Sequence, residues 1–321
     1  MISERYNQLM RMHPLIRQDF TFPTTQIEQL ANALSHWLDI NVTGVIVSGE
    51  PRVGKTWALQ WLRHNVSSYW DEDIPIIQFS MVSLEDPEIS FLELFLREMG
   101  SPFVKGTKRV IWNRTRDLML HMSEAYESNL FLVFIDEAQK LTNHHYDLLV
   151  DISNILDEKH IRLVTLLVGQ PELESVYGEV VERNRRHIGG RFMKEKYVFK
   201  GLLNAEDLAL FLRSFDLGER FPLDSGVSFT EFFVPDAFLS GWRLEKQAEK
   251  IWMNLNEYSV ETGAIKLTEF AMTPTVALMS VLLRELSEED GQDLILTDKQ
   301  VQNAIRSAIG SQMKFYLDNT H

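Results

Sequence analysis

Apolar residues recur along this chain in two rhythms, and the change from one to the other lays out its architecture. Short runs at residues 44–47, 74–79, 130–135 and 163–168 are rich in β-branched residues and bounded by polar ones, the pattern of strands buried on both faces of a parallel sheet. Helical spacing fills the intervals. Before the first run, Ile27, Leu30, Ala31, Leu34, Trp37 and Leu38 repeat on one helical face, and Thr25 followed by Glu28 reads as the capping box that starts this helix. The helix is expected to pack on the sheet edge. Alternation of strand and helix predicts a doubly wound α/β domain ending near residue 200. From residue 204 only the helical rhythm continues, at 205–215, about 235–255, 265–286 and 297–309, with 218–230 as an irregular loop. The expected organisation is an N-terminal helical segment at 1–43, an α/β domain at 44–202 and a smaller helical domain at 203–321.

Two motifs give the α/β domain its chemistry. After the first strand comes Gly49-Glu50-Pro51-Arg52-Val53-Gly54-Lys55-Thr56, then Trp57, which fits the phosphate-binding pattern GxxxxGK[ST] in the strand, loop, helix context it needs. Glycines there let backbone N–H groups turn toward phosphate oxygens, and the following helix directs its positive end to the same place. Lys55 is expected to neutralise the β and γ phosphates of ATP, and Thr56 to ligate Mg2+. About 80 residues on, the apolar strand at 130–135 ends in Asp136-Glu137. At the carboxyl end of a parallel strand both carboxylates reach the crevice where phosphates lie. Asp136 is then placed for the Mg2+ shell, and Glu137 to orient and polarise an attacking water. With residues 74–79 read as an extra strand between the phosphate-loop strand and this one, hydrolysis is favoured over phosphoryl transfer to an acceptor such as a small-molecule kinase would use.

Three polar positions extend the site. Gln170, at the end of the strand 163–168, is a candidate sensor between the γ-phosphate and the water. The run from Glu182 to Phe192 holds Arg183, Arg185, Arg186 and Arg191. In a ring it would sit on the side of the domain away from the phosphate loop and abut a neighbour's nucleotide, so Arg186 and Arg191, with Arg183 behind them, are candidate fingers in trans. Gly241-Trp242-Arg243 is read as opening a helix, with Arg243 able to touch the γ-phosphate and report its loss.

Composition narrows the partners. A formal net charge of -14 argues against a protein that coats nucleic acid by bulk attraction, so any DNA contact must come from local patches. Residues 183–200 carry seven basic residues against one acid, and residues 98–117 five against two. There are no cysteines, which excludes disulfides, thiolate metal sites and cysteine nucleophiles. No apolar run approaches a spanning helix, and the N-terminal residues lack the apolar stretch of a secretory signal. A cytoplasmic protein without membrane association is expected.

Taken together, the phosphate loop, Phe134-Ile135-Asp136-Glu137-Ala138-Gln139-Lys140-Leu141 and Val168-Gly169-Gln170-Pro171-Glu172-Leu173 make the chain similar to AAA+ ATPases of the TnsC and TniB kind, over about residues 1–260. His13-Pro14 before a helix also looks like that group, whose N-terminal segment borders the adenine. The length resembles the TnsC of CRISPR-associated, Tn7-like transposons. The resemblance implies an AAA+ P-loop fold with a parallel sheet flanked by helices and a small helical lid. It also implies a homo-oligomeric ring or filament assembled with ATP on double-stranded DNA, which links a target selector of the TniQ kind to transposase subunits and hydrolyses ATP to reset. By the same resemblance Lys105, Lys108 and Arg109 contact the DNA backbone, giving salt-dependent, sequence-independent binding. Gln170 departs from the Asn, Thr or Ser that many AAA+ proteins carry at the sensor position. The alternative is a DEAQ-type ATPase in secretion or in STAND-like signalling, with a protein partner and no DNA.

Overall fold

The computed structural model describes residues 2–70, 72–82, 87–182, 185–218, 220–263 and 268–309. In chain order the elements are α1 (Ile2–Met12), α2 (Pro14–Arg17), α3 (Thr25–Asp39), β1 (Gly44–Ser48), α4 (Lys55–Trp70), β2 (Ile76–Ser80), α5 (Pro87–Glu98), α6 (Lys108–Ala125) and β3 (Leu130–Asp136). A 3-10 turn (Ala138–Lys140) leads to α7 (Asn143–Asp157), β4 (Arg162–Gly169), α8 (Glu172–Glu182), α9 (Arg186–Phe192) and β5 (Glu195–Val198). The remainder is helical: α10 (Ala205–Leu217), α11 (Phe229–Phe233), α12 (Pro235–Leu239), a 3-10 turn (Glu245–Gln247), α13 (Ala248–Glu261), α14 (Met272–Ser287) and α15 (Asp298–Ala308). Among the described residues no helix is long and apolar enough to cross a membrane.

The chain divides into two compact units. The sheet unit comprises Gln29–Glu50 and Lys55–Phe199. Its five strands are all parallel and lie in the order β2-β3-β4-β1-β5. The two central runs explain themselves: β3 is buried at every position and β4 at all but Arg162, because helices cover both faces of a parallel sheet. Residues 74–79, read as the strand between β1 and β3, lie instead at the sheet edge, and β4 occupies the interposed place. Both runs are short and apolar, and chain order does not reveal which one the crossovers insert. The edge strand β5 has no apolar run for the same geometric reason. Its residues Glu195, Lys196, Tyr197 and Val198 alternate between half-buried and exposed, as a strand with one solvated side does.

All six apolar positions on the predicted face of α3 are buried, each worth roughly 1.5–3 kcal/mol of transfer energy for the larger side chains. Trp37 meets Tyr197 of β5 edge-on at 6.0 Å, so α3 packs at the sheet edge. Its cap is Thr24 rather than Thr25: the Ile27 N–H donates to Thr24 Oγ1 at 3.2 Å.

The helical unit comprises Met1–Glu28, Pro51–Gly54 and Lys200–His321. Its core joins Leu15 and Phe22 to Phe211, Phe215, Phe229 and the apolar faces of α13, α14 and α15. His13 is fully buried there, with the rings of Phe221, Phe229, Phe232 and Phe233 at 4.5–4.8 Å. Its Nδ1 accepts the Leu15 N–H at 3.1 Å and so caps α2. Burial pushes its imidazole pKa down to about 3, so the side chain is a neutral element of the core.

The segment expected as one helix over 235–255 is broken. Gly241 takes φ 97 and ends α12, and the chain resumes through the 3-10 turn before α13. Arg243 therefore does not open a helix. The carboxylate of Asp216 accepts from the N–H groups of Leu244 and Glu245 at 3.1 and 3.0 Å, holding this corner. Of the helix expected over 265–286, residues 265–267 lie outside the described ones; α14 begins at Met272, because Phe270 forms an extended bridge with Leu202.

Candidate functional site

The site of the sheet unit is built where β1, β3 and β4 end. β1 runs into Gly49 and Glu50, and α4 begins with Lys55 and Thr56. Lys55 is 8% exposed, and its Nζ donates to the carbonyls of Gly49 and Glu50 at 2.6 and 2.7 Å. Burial pushes its ammonium below the usual lysine range, while Asp136, Glu137, Glu50 and Glu172 pull it back. A buried cation turned toward the loop is the group a phosphate anion would find.

Thr56 Oγ1 donates to Asp136 Oδ2 at 2.6 Å. The other Asp136 oxygen accepts the Glu137 N–H at 2.9 Å, and the side chain is only 5% exposed. A hydroxyl and a carboxylate this close form a hard oxygen pair that suits Mg2+. The hydroxyl–carboxylate pair fits Mg2+, and the buried Lys55 ammonium fits the phosphates of a nucleotide.

Glu137 sits at the turn out of β3 in the left-handed region, φ 54 and ψ 36. Its Oε2 accepts from Gln139 Nε2 at 3.0 Å and lies 3.3 Å from Lys140 Nζ. Gln170 directly follows Gly169, which pairs with Ser48 of β1. Because β4 lies between β1 and β3, this end stands between the phosphate loop and the acidic pair. The Gln170 N–H donates to Gln139 Oε1 at 3.3 Å. Gln139 belongs to no part of the acidic-pair motif, and its only mark in the sequence is its spacing of two from Glu137.

The intervening loop residues Pro51–Gly54 group with the helical unit. Arg52 has φ 68 and Gly54 φ 109, and the Thr273 N–H donates to the Arg52 carbonyl at 3.3 Å. Val53 is buried, whereas Trp57 at the start of α4 is 38% exposed.

The arginines separate by their partners. Arg185 donates to Asn143 Oδ1 at 2.7 Å and pairs with Asp147, both on the first turns of α7. Arg191 donates to Asn154 Oδ1 at 2.7 Å, with Asp157 at 4.0 Å, on its last turns. Arg185 and Arg191 are thus both held by α7. Arg186 is exposed, with no ion pair among the described residues, and Arg183 lies outside those described. In the helical unit Arg243 donates to the carbonyls of Phe238 and Trp242 and stacks 3.7 Å over the Phe238 ring.

In the basic segment, Lys105 pairs with the buried Glu93 at 2.8 Å and Lys108 pairs with Glu88. Arg109 is exposed and carries no such pair among the described residues. Phe103 stands 67% exposed on the preceding loop, its carbonyl accepting from Arg114 at 2.6 Å.

Residues 43–177 match the family model described as an AAA domain. With the parallel five-strand sheet in the order given above, that match gives the fold. Residues 43–177 have the AAA+ P-loop fold. Solved structures similar to it include the Aeropyrum pernix ORC2 protein with ADPNP and ADP, at 14% identity over 92% of this chain and 71% of that one, TM-score 0.55. The Aeropyrum pernix ORC1 protein in complex with DNA is similar too, at 15% identity over 92% and 68%, TM-score 0.53. At these identities the likeness is one of fold: an AAA+ sheet followed by a helical region. A comparison with curated protein sequences gives no match.

Proposed function

We propose that this AAA+ chain is an ATP-hydrolysing regulator of DNA transposition. It binds ATP with Mg2+, assembles as a ring or filament on double-stranded DNA, links a TniQ-like selector to transposase subunits, and resets on hydrolysis. The observation that carries the ATPase part is the convergence of Lys55 and Thr56, after β1, with Asp136 and Glu137, at the end of β3, on either side of β4. Lys55 neutralises phosphate charge, Thr56 and Asp136 hold Mg2+, and Glu137 takes the proton of the attacking water. The ion supplies shielding of charge on the transferred phosphoryl group. Arg186 of a neighbouring subunit completes the site, since Arg185 and Arg191 are already engaged with α7. The DNA part rests on the resemblance of the two acidic-pair and strand-end motifs to the TnsC kind, and on the exposed Arg109.

The test is filter binding and electron microscopy on duplex DNA with a slowly hydrolysed ATP analogue. Nucleotide-dependent assemblies on DNA are expected; absence of DNA binding at low salt sinks the transposition reading. One observation favours the second reading, a DEAQ-type ATPase with a protein partner: Lys105 and Lys108 are paired with Glu93 and Glu88, which leaves fewer cations for phosphates.

A further inference from the structure

Glu137 is held from outside its own residue, and the holder is shared with the neighbouring strand. A left-handed conformation at a non-glycine residue is sparsely populated and persists only where surrounding contacts over-determine it. Four contacts do so here: the Glu137 N–H to Asp136 Oδ1, the Lys140 N–H to the Glu137 carbonyl at 3.0 Å, and, both on Glu137 Oε2, the Gln139 carboxamide and the Lys140 ammonium at 3.0 and 3.3 Å.

Gln139 stands apart because both ends of its carboxamide are committed. Its Nε2 donates to Glu137 Oε2, and its Oε1 accepts the Gln170 N–H. A carboxylate only accepts and a backbone N–H only donates, so each partner fixes the same orientation of the amide. The space it needs comes from Gly169. A Cβ there would overlap Gln139 Oε1 and stand 3.2 Å from Leu173 Cδ2.

We propose that Gln139 is a positioning residue which sets the Glu137 carboxylate by reference to the end of β4, so that the strand end carrying Gln170 and the general base move as one. Gln139 acts through Glu137 and touches no reacting atom, and the proposal rests on Glu137 being the group that polarises water. Displacement of β4 relative to β3 by a few tenths of an ångström passes directly into the carboxylate. Gly169 is part of the device, because only a residue without a side chain leaves the carboxamide in place.

The experiment is a steady-state ATPase series on the full chain with Gln139→Ala, Gly169→Ala, the double variant and Glu137→Gln, each with nucleotide affinity and thermal unfolding measured. Gln139→Ala is expected to lower kcat by about ten- to hundredfold, as loss of supporting contacts does, with KM and ATP affinity within about twofold. Gly169→Ala is expected to lower kcat similarly by displacing the carboxamide. In the Gln139→Ala background Gly169→Ala should add less than about threefold, because the truncated side chain has vacated the space. A residue that served only the fold would not split kcat from KM in this way. Unchanged kcat in Gln139→Ala, or losses that multiply in the double variant, overturns the inference even if one single variant is too unstable to assay. Glu137→Gln keeps the two levels apart. If it turns over normally, the hydrolytic role of Glu137 falls and this inference with it; if it is inactive while Gln139→Ala is normal, only the positioning role falls.

Discussion

Thr56 Oγ1 and Asp136 Oδ2 stand 2.6 Å apart although 80 positions separate them in the chain. Their bond joins the start of α4 to the end of β3 and brings together the two residues proposed to hold Mg2+. Asp136→Ala is expected to abolish Mg2+-dependent ATP binding while leaving weak metal-free binding. Lys55→Ala should weaken ATP binding by tenfold or more, in the order of the 1.5–3 kcal/mol carried by a hydrogen bond to a charged group. Titration calorimetry with and without Mg2+ separates the two effects.

Glu137→Gln keeps the size of the side chain and removes its capacity to take a proton. ATP affinity should stay within about twofold and turnover fall by about a hundredfold or more, the range assigned to general acid–base catalysis. Phosphate release beside equilibrium nucleotide binding measures both. Turnover at the normal rate would exclude the residue as base.

Arg186 and Arg191 should behave differently. Arg186→Ala is expected to reduce turnover by about a thousandfold if it works in trans, with partial recovery when mixed with Glu137→Gln protein, since a mixed interface unites one intact half from each. Arg191→Ala should leave turnover near normal but lower Tm by about 2–4 °C through loss of its bond to Asn154. Equal kinetic effects of the two variants would refute this ranking.

Arg109→Ala should reduce DNA affinity and lower the slope of log affinity against log salt by about one, the signature of a lost phosphate contact. Lys105→Ala should alter the slope less, because Lys105 is already spent on Glu93. Binding measured by fluorescence anisotropy across salt concentrations distinguishes them.

His13 makes stability depend on acidity. Its imidazole pKa falls from about 6.5 unfolded to about 3 folded, so the unfolded chain binds the proton first. Stability from this group is fully present above pH 6.5 and declines as pH falls from there toward 3, by about 1.4 kcal/mol per pH unit. His13→Asn can still accept the Leu15 N–H but does not titrate, and it should flatten this part of the Tm profile between pH 6.5 and 4.

Much of this arrangement was legible in the sequence. The phosphate loop and Asp136-Glu137 carry fixed chemistry at fixed spacing, and β1, β3 and β4 announce themselves because burial on both faces demands unbroken apolar runs. β5 was silent because an edge strand needs no such run. That β4 and not β2 separates β1 from β3 is not legible in the sequence, since strand order is decided by crossovers between residues far apart in the chain. The partners of Arg185, Arg191, Lys105 and Lys108 were equally hidden: an arginine held by α7 and one free in solvent have the same letter. The same holds for Gln139, whose neighbours come from two strands.

α9 is pinned to α7 at both ends, by Arg185 and by Arg191. Its last residue, Phe192, lies with its backbone against Gly44, and Thr43 Oγ1 donates to the Arg191 carbonyl at 2.7 Å. Seven residues of helix span about 10 Å, so Arg186 at the start of α9 stands one short helix away from Gly44, the first residue of the strand that runs into the phosphate loop. A bulkier residue at Gly44 would have to push this helix away, because its Cβ would fall on the Phe192 backbone.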